Sequence, residues 1–176
     1  MKIRIWSVIS LLVLLTACAP AKRTGNWISI PPVQKGENKS FAVSLEPLKK
    51  DKRFFVAFHL SVRNKTGRAL TIDWNKTLYI HNGRPYGVFA FKGIDPATIK
   101  GSIPPDVIAP GKIFSKEIFP VDLVAFAPMR EEVLDKKGRG LFPGPIPAGE
   151  SGIHLVIHQD GQEIIQKITL DIKEAG

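Results

Sequence analysis

The chain has one cysteine among its 176 residues. A single thiol excludes a disulfide framework and every metal site built from several cysteines. Long apolar runs are also missing. The main apolar stretch, Ile5 to Leu15, is 11 residues with no charge, whereas a membrane-spanning helix needs ~20. Acidic residues are the minority sign, 16 Asp and Glu against 25 Lys and Arg, for a formal net charge of +9. No phosphate loop, dinucleotide fingerprint, calcium loop or nucleic-acid-binding motif accompanies that excess, so it does not point to nucleic acid. What is present is 44% hydrophobic and 23% charged residues, which excludes a disordered or fibrous chain.

The first residues read as a targeting signal. Lys2 and Arg4 form a short positive region, and the apolar stretch behind it closes with Leu15, Thr16, Ala17 and Cys18. These four residues resemble the lipobox of bacterial lipoproteins, in which a leucine, a pair of small residues and a cysteine end the apolar segment. The resemblance implies that residues 1–17 are a signal peptide and that Cys18 becomes the first residue of the mature chain. Its sulfur would carry a diacylglyceryl group and its amine an acyl chain. Each buried methylene contributes ~0.8 kcal/mol, so several chains give stable attachment where one gives only reversible binding. In that family an Asp directly after the cysteine favours the inner membrane. Ala19 stands there, so the resemblance implies the outer membrane, facing the periplasm.

Residues 18–39 read as the lipidated N-terminus and a Pro- and Gly-containing tether, in which Trp27, Ile28 and Ile30 can dock as a first edge strand ended by Pro31 and Pro32. Residues 40–176 read as one β domain. Phe41, Val43 and Leu45 alternate with polar or small neighbours, and Phe54, Val56, Phe58, Leu60 and Val62 share one face of a strand over residues 54–63. Further strands are expected at 70–74, 77–81, 86–91, 113–119, 153–159 and 162–173, the last with Ile168, Leu170 and Ile172 facing inward. Asn82-Gly83 and Asp160-Gly161 are hairpin dipeptides, because both positions tolerate positive φ. Residues 92–111 and 138–152 are rich in Pro and Gly and read as irregular. Pro128 to Lys137 is the one helical candidate, with Glu131 and Glu132 in its first turn and Lys136 and Lys137 in its last.

Strand runs without intervening helices predict antiparallel pairing. The expected fold is all-β, an immunoglobulin-like antiparallel β-sandwich with one short helix. The segment from Phe58 to Phe89, with its Asn64 turn, the Asp73-Trp74 pair and Tyr79, is similar to segments of uncharacterised bacterial lipoproteins with a sandwich domain. That resemblance implies no activity.

Chemistry is sparse. His154 and His158 share a strand face, but ~13 Å between their Cα atoms is too far for one ion; His59 could pair with one of them only across neighbouring strands, and His81 sits beside the hairpin turn. Gly149, Glu150, Ser151 and Gly152 approach a nucleophile elbow, but Ile153 stands where its last glycine belongs and a strand follows instead of a helix. Asp73, Asp95, Asp106 and Asp122 are scattered. No catalytic residue, metal site or cofactor is therefore assigned. The basic clusters Lys49, Lys50, Lys52, Arg53; Lys65, Arg68; and Lys136, Lys137, Arg139 fall in expected turns. They read as solvated loop charge, or alternatively as attraction to anionic headgroups, glycans or acidic partners. Tyr79, Tyr86 and Arg84 around the Asn82-Gly83 hairpin are the candidate binding residues, with core packing as the alternative for the aromatics. The expected protein is a non-enzymatic envelope lipoprotein. Its partners would be the membrane, through the anchor, and an envelope protein or cell-wall polymer, with a glycan- or lipid-binding module as the alternative.

Overall fold

The computed structural model describes residues 25–50, 52–94, 99, 103–126 and 141–175. The leader, Cys18 and the expected helix at Pro128 to Lys137 lie outside these residues. Within them the chain is all-β. The strands in chain order are β1 (Asn26–Ile30), β2 (Gln34–Glu37), β3 (Phe41–Leu48), β4 (Ala57–Asn64), β5 (Leu70–Ile72), β6 (Leu78–His81) and β7 (Arg84–Phe91). They continue with β8 (Asp106–Ile108), β9 (Ile113–Pro120), β10 (Val124–Phe126), β11 (Leu141–Pro143), β12 (Gly149–Gln159) and β13 (Gln162–Ala175). Among the described residues the helical content is a 3-10 turn at Val121–Leu123, and no helix is long and apolar enough to cross a membrane.

One antiparallel sheet holds eleven of these strands, in the order β1-β13-β12-β6-β7-β9-β4-β3-β2, with β5 and β8 attached beside β12. β10 and β11 form a separate ribbon. The large sheet curls. Its β2 end comes against β13, where the Asn38 amide donates to Gln166 Oε1 at 3.4 Å. The turning point is β7, whose first half pairs with β6 and whose second half pairs with β9. Gly87 sits at that change with φ 91°, and a Cβ there would come 2.3 Å from Asp122 Oδ2. The register also shifts between Leu78 and Ile80. A bulge of this kind bends a strand and increases its twist.

Side chains from both halves of the curled sheet meet in one core. Phe41, Val43 and Leu45 of β3, Phe58, Leu60 and Val62 of β4, Ile153, Leu155 and Ile157 of β12, and Ile168, Leu170 and Ile172 of β13 are all buried there. Period-two alternation delivers each set, and every such side chain removed from water contributes ~1.5–3 kcal/mol. The expected face of residues 54–63 holds only from Phe58. Before β4 the backbone is not extended in register, so Phe55 enters the main core while Val56 joins a smaller cluster with Ala57, Ala90 and Phe119.

Three sequence expectations are corrected. The edge strand expected at Trp27, Ile28 and Ile30 is β1, paired with β13 and ending before Pro31, but residues 34–37 are not tether, because β2 pairs with β3. The tether reading rested on Pro, Gly and charge, but the polar residues of β2 are held by backbone pairing with β3 and by the ion pair of Glu37 with Lys65. Residues 138–152 are not wholly irregular, because β12 already begins at Gly149. Gly152 permits this, since a Cβ there would lie 2.0 Å from the Ile168 carbonyl oxygen of β13. Residues 92–111 include β8, whose pairing comes from β5 and not from its own pattern.

Candidate functional site

The Asn82-Gly83 turn carries the residues singled out by sequence. Its φ values of 48° and 78° are those of a two-residue hairpin turn. Arg84 is exposed and Tyr86 is 50% exposed. Tyr79 is not on the surface. It is fully buried in the core, in register with Ile153 of β12, and Tyr86 packs edge-on against it with ring centroids 6.3 Å apart. Of the aromatic pair, Tyr86 alone can meet a ligand. Burial pushes the Tyr79 hydroxyl up to about 12, against the smaller opposing effect of its hydrogen bond with Ser151 Oγ at 3.0 Å.

Behind the turn lies a polar chain that sequence spacing does not reveal. Asn82 Oδ1 accepts the Glu150 N–H at 3.1 Å, which orients its amide group. Its Nδ2 then faces His81 Nε2 at 3.0 Å and donates to it. The other ring nitrogen, Nδ1, faces Ser151 Oγ at 3.5 Å, and Ser151 is itself fully buried and hydrogen-bonded with the Tyr79 hydroxyl at 3.0 Å. The failed elbow motif therefore belongs to a structural network.

A second cluster joins the two halves of the sheet. Lys116 Nζ of β9 lies 3.8 Å from the Phe91 ring centroid, 5.4 Å from that of Trp74 and 5.5 Å from that of Phe114. It also ion-pairs with Asp106 of β8, whose Oδ2 accepts the Trp74 indole N–H at 2.7 Å. The ammonium is held by three aromatic faces and one carboxylate. Period-two spacing on β9 puts Phe114 and Lys116 on one face, but no spacing in the sequence connects them to residues 74, 91 and 106.

The remaining histidines do not converge. His158 faces Asp73 at 3.3 Å and Glu163 at 3.9 Å on an open surface. Glu163 is held below its usual range chiefly by its hydrogen bond with Lys76, which is raised in turn. His59 stands in register between Glu46 and Glu117, and His154 between Leu78 and Lys167. Among the described residues, no group of three or more His, Cys, Asp or Glu side chains is placed to hold a metal. An open furrow of about 520 Å³ crosses the outer face of β2, β3 and β4, floored by Ala42, Ser44 and Ser61 and walled by Lys35, Glu37 and Arg63.

Comparison with protein-family models, with curated proteins and with solved structures finds no match.

Proposed function

We propose that this chain is a lipid-anchored protein of the bacterial cell envelope, in the outer membrane and facing the periplasm, whose β domain is a binding module and not an enzyme. The observation that carries the reading is Cys18 at the end of a basic, then apolar, leader closed by Leu15, Thr16 and Ala17. The curled antiparallel sheet around one core is compatible with an immunoglobulin-like sandwich, and we read it as one. A non-enzymatic role is supported by Ser151, which is fully buried and hydrogen-bonded with the Tyr79 hydroxyl, out of reach of a substrate.

The module would act through an envelope protein, meeting it with edge strands and loops. Crosslinking in cells followed by mild detergent extraction tests this. Recovery of one envelope protein in stoichiometric amount is the expected result, and recovery of the chain alone contradicts it. A second reading is favoured by one observation, the half-exposed Tyr86 beside exposed Arg84, backed by a buried aromatic. Such a pair suits a cell-wall glycan. On that reading Tyr86→Ala weakens retention on peptidoglycan or lipopolysaccharide, and unchanged retention removes it.

A further inference from the structure

The structure shows which end of the domain the chain enters from. β1 starts at Asn26, opposite Ala175 at the end of β13. β12 starts at that same end with Gly149 in register with Ile172, and His81 of β6 lies opposite Ser151, so the Asn82-Gly83 turn is there too. The turn between β3 and β4, with Lys49, Lys50, Lys52 and Arg53, also belongs to this end. It is fastened to β1 at two points. The Trp27 N–H donates to the Arg53 carbonyl at 3.2 Å, and Lys49 Nζ donates to Asn26 Oδ1 at 2.6 Å.

Asn26 lies only eight residue steps along the chain from Cys18. At no more than ~3.6 Å each, they allow at most about 30 Å between the two. A lipid on Cys18 would therefore hold this end of the domain, and not the other, close to the bilayer. Lys52 and Arg53 are exposed at it and make no ion pair with any described carboxylate. Two described carboxylates at this end are engaged, Glu117 with Lys50 and Glu150 with Lys167. Asp122 and Glu174 also lie at this end. Other exposed cations, such as Lys112, lie at the opposite end, so position distinguishes the turn. Exposed Arg84 and the half-exposed, amphipathic Tyr86 stand on the same end, and Tyr is a side chain suited to a lipid–water interface.

We infer that Lys52 and Arg53, in the connection from β3 to β4, dock on anionic lipid headgroups of the bilayer that holds Cys18, so that the domain rests on the membrane instead of floating above it. This rests on the lipid-anchor reading. Each cation near an anionic leaflet shifts the docked ratio by about fivefold, so Lys52 and Arg53 together contribute about twenty-fivefold at low salt.

The test uses the full natural protein extracted in detergent, with the mass of its N-terminal peptide determined first, and then reconstituted into vesicles. Amide hydrogen exchange is followed in peptides covering residues 46–56. Exchange is expected to slow several-fold in phosphatidylglycerol-containing vesicles relative to phosphatidylcholine alone, and to return at high salt. K52Q/R53Q should abolish the difference and K52R/R53K should keep it. With a lipidated Cys18, equal exchange on the two vesicles overturns docking alone. Slowing that ignores lipid charge and salt also overturns it and assigns the turn to a protein contact. An unmodified Cys18 removes the anchor and the docking together.

Discussion

At the residue scale, stability rests on a few polar side chains whose burial is compensated. Asn64 is fully buried. Its Nδ2 donates to the carbonyls of Arg68, Ile108 and Ala109, and its Oδ1 accepts from the N–H and hydroxyl of Thr66. Asn64→Ala orphans that set and is expected to cost ~2–4 kcal/mol in urea unfolding, the range for buried groups losing several partners. A cost below half a kcal/mol would mean that water replaces the side chain. Tyr79 predicts a pH effect. Its proton is held more tightly in the folded chain, so its contribution is complete below the unfolded value near 10 and is lost as pH rises toward about 12. The loss across that window is ~2–3 kcal/mol. Tyr79→Phe should flatten the alkaline limb by that amount relative to the parent, and parallel limbs would contradict the assignment.

Lys116 makes a third case. Removing it as Lys116→Met leaves Asp106 partly buried with only the Trp74 N–H to face it. The expected cost is ~1–3 kcal/mol. Asp106→Asn in the same chain should recover part of it, because the uncompensated charge is gone. No recovery in the double variant would place the cost in lost packing on the rings.

At the element scale, the close approach of β12 and β13 depends on a missing side chain. A Cβ at position 152 would meet backbone of β13, not the flexible end of a side chain. Gly152→Ala is therefore expected to destabilise by more than ~3 kcal/mol, whereas Gly83→Ala, strained only by its φ of 78° with open space around it, should cost ~1 kcal/mol. Thermal melts of the two variants compare them, and equal shifts would contradict the argument. The same contrast explains what is legible in sequence. Phe58, Leu60 and Val62 are legible because burial on one face writes a period of two. Both hairpin dipeptides are legible because positive φ selects Asn, Asp and Gly. β2 and β8 are not legible, since each is short and takes its place from a partner's backbone. The Tyr79–Tyr86 pair is half legible. Both tyrosines belong to one hairpin and touch, but only the placement of β12 decides that Tyr79 is covered. The Lys116 cluster brings Phe114 and Lys116 of β9 together with Trp74, Phe91 and Asp106 from three other parts of the chain, and no local pattern encodes that meeting.

At the scale of the whole molecule, the first strand shortens the leash. A tether running to residue 39 would let the domain range ~70 Å from the membrane, whereas a strand beginning at Asn26 limits its near end to about 30 Å. On the lipid-anchor reading, position 18 would be more than an attachment point, because it would fix which face of the module can meet a soluble partner. The furrow across β2, β3 and β4 and the opposite end with the Asp160-Gly161 turn remain open to the periplasm on this reading. All of it depends on the chemistry at one sulfur. The most direct measurement is the intact mass and N-terminal sequence of the protein extracted from its own cells. The account predicts a chain that starts at Cys18 and carries a diacylglyceryl thioether and an N-acyl group. A chain that keeps residues 1–17, or starts at an unmodified Cys18, contradicts it.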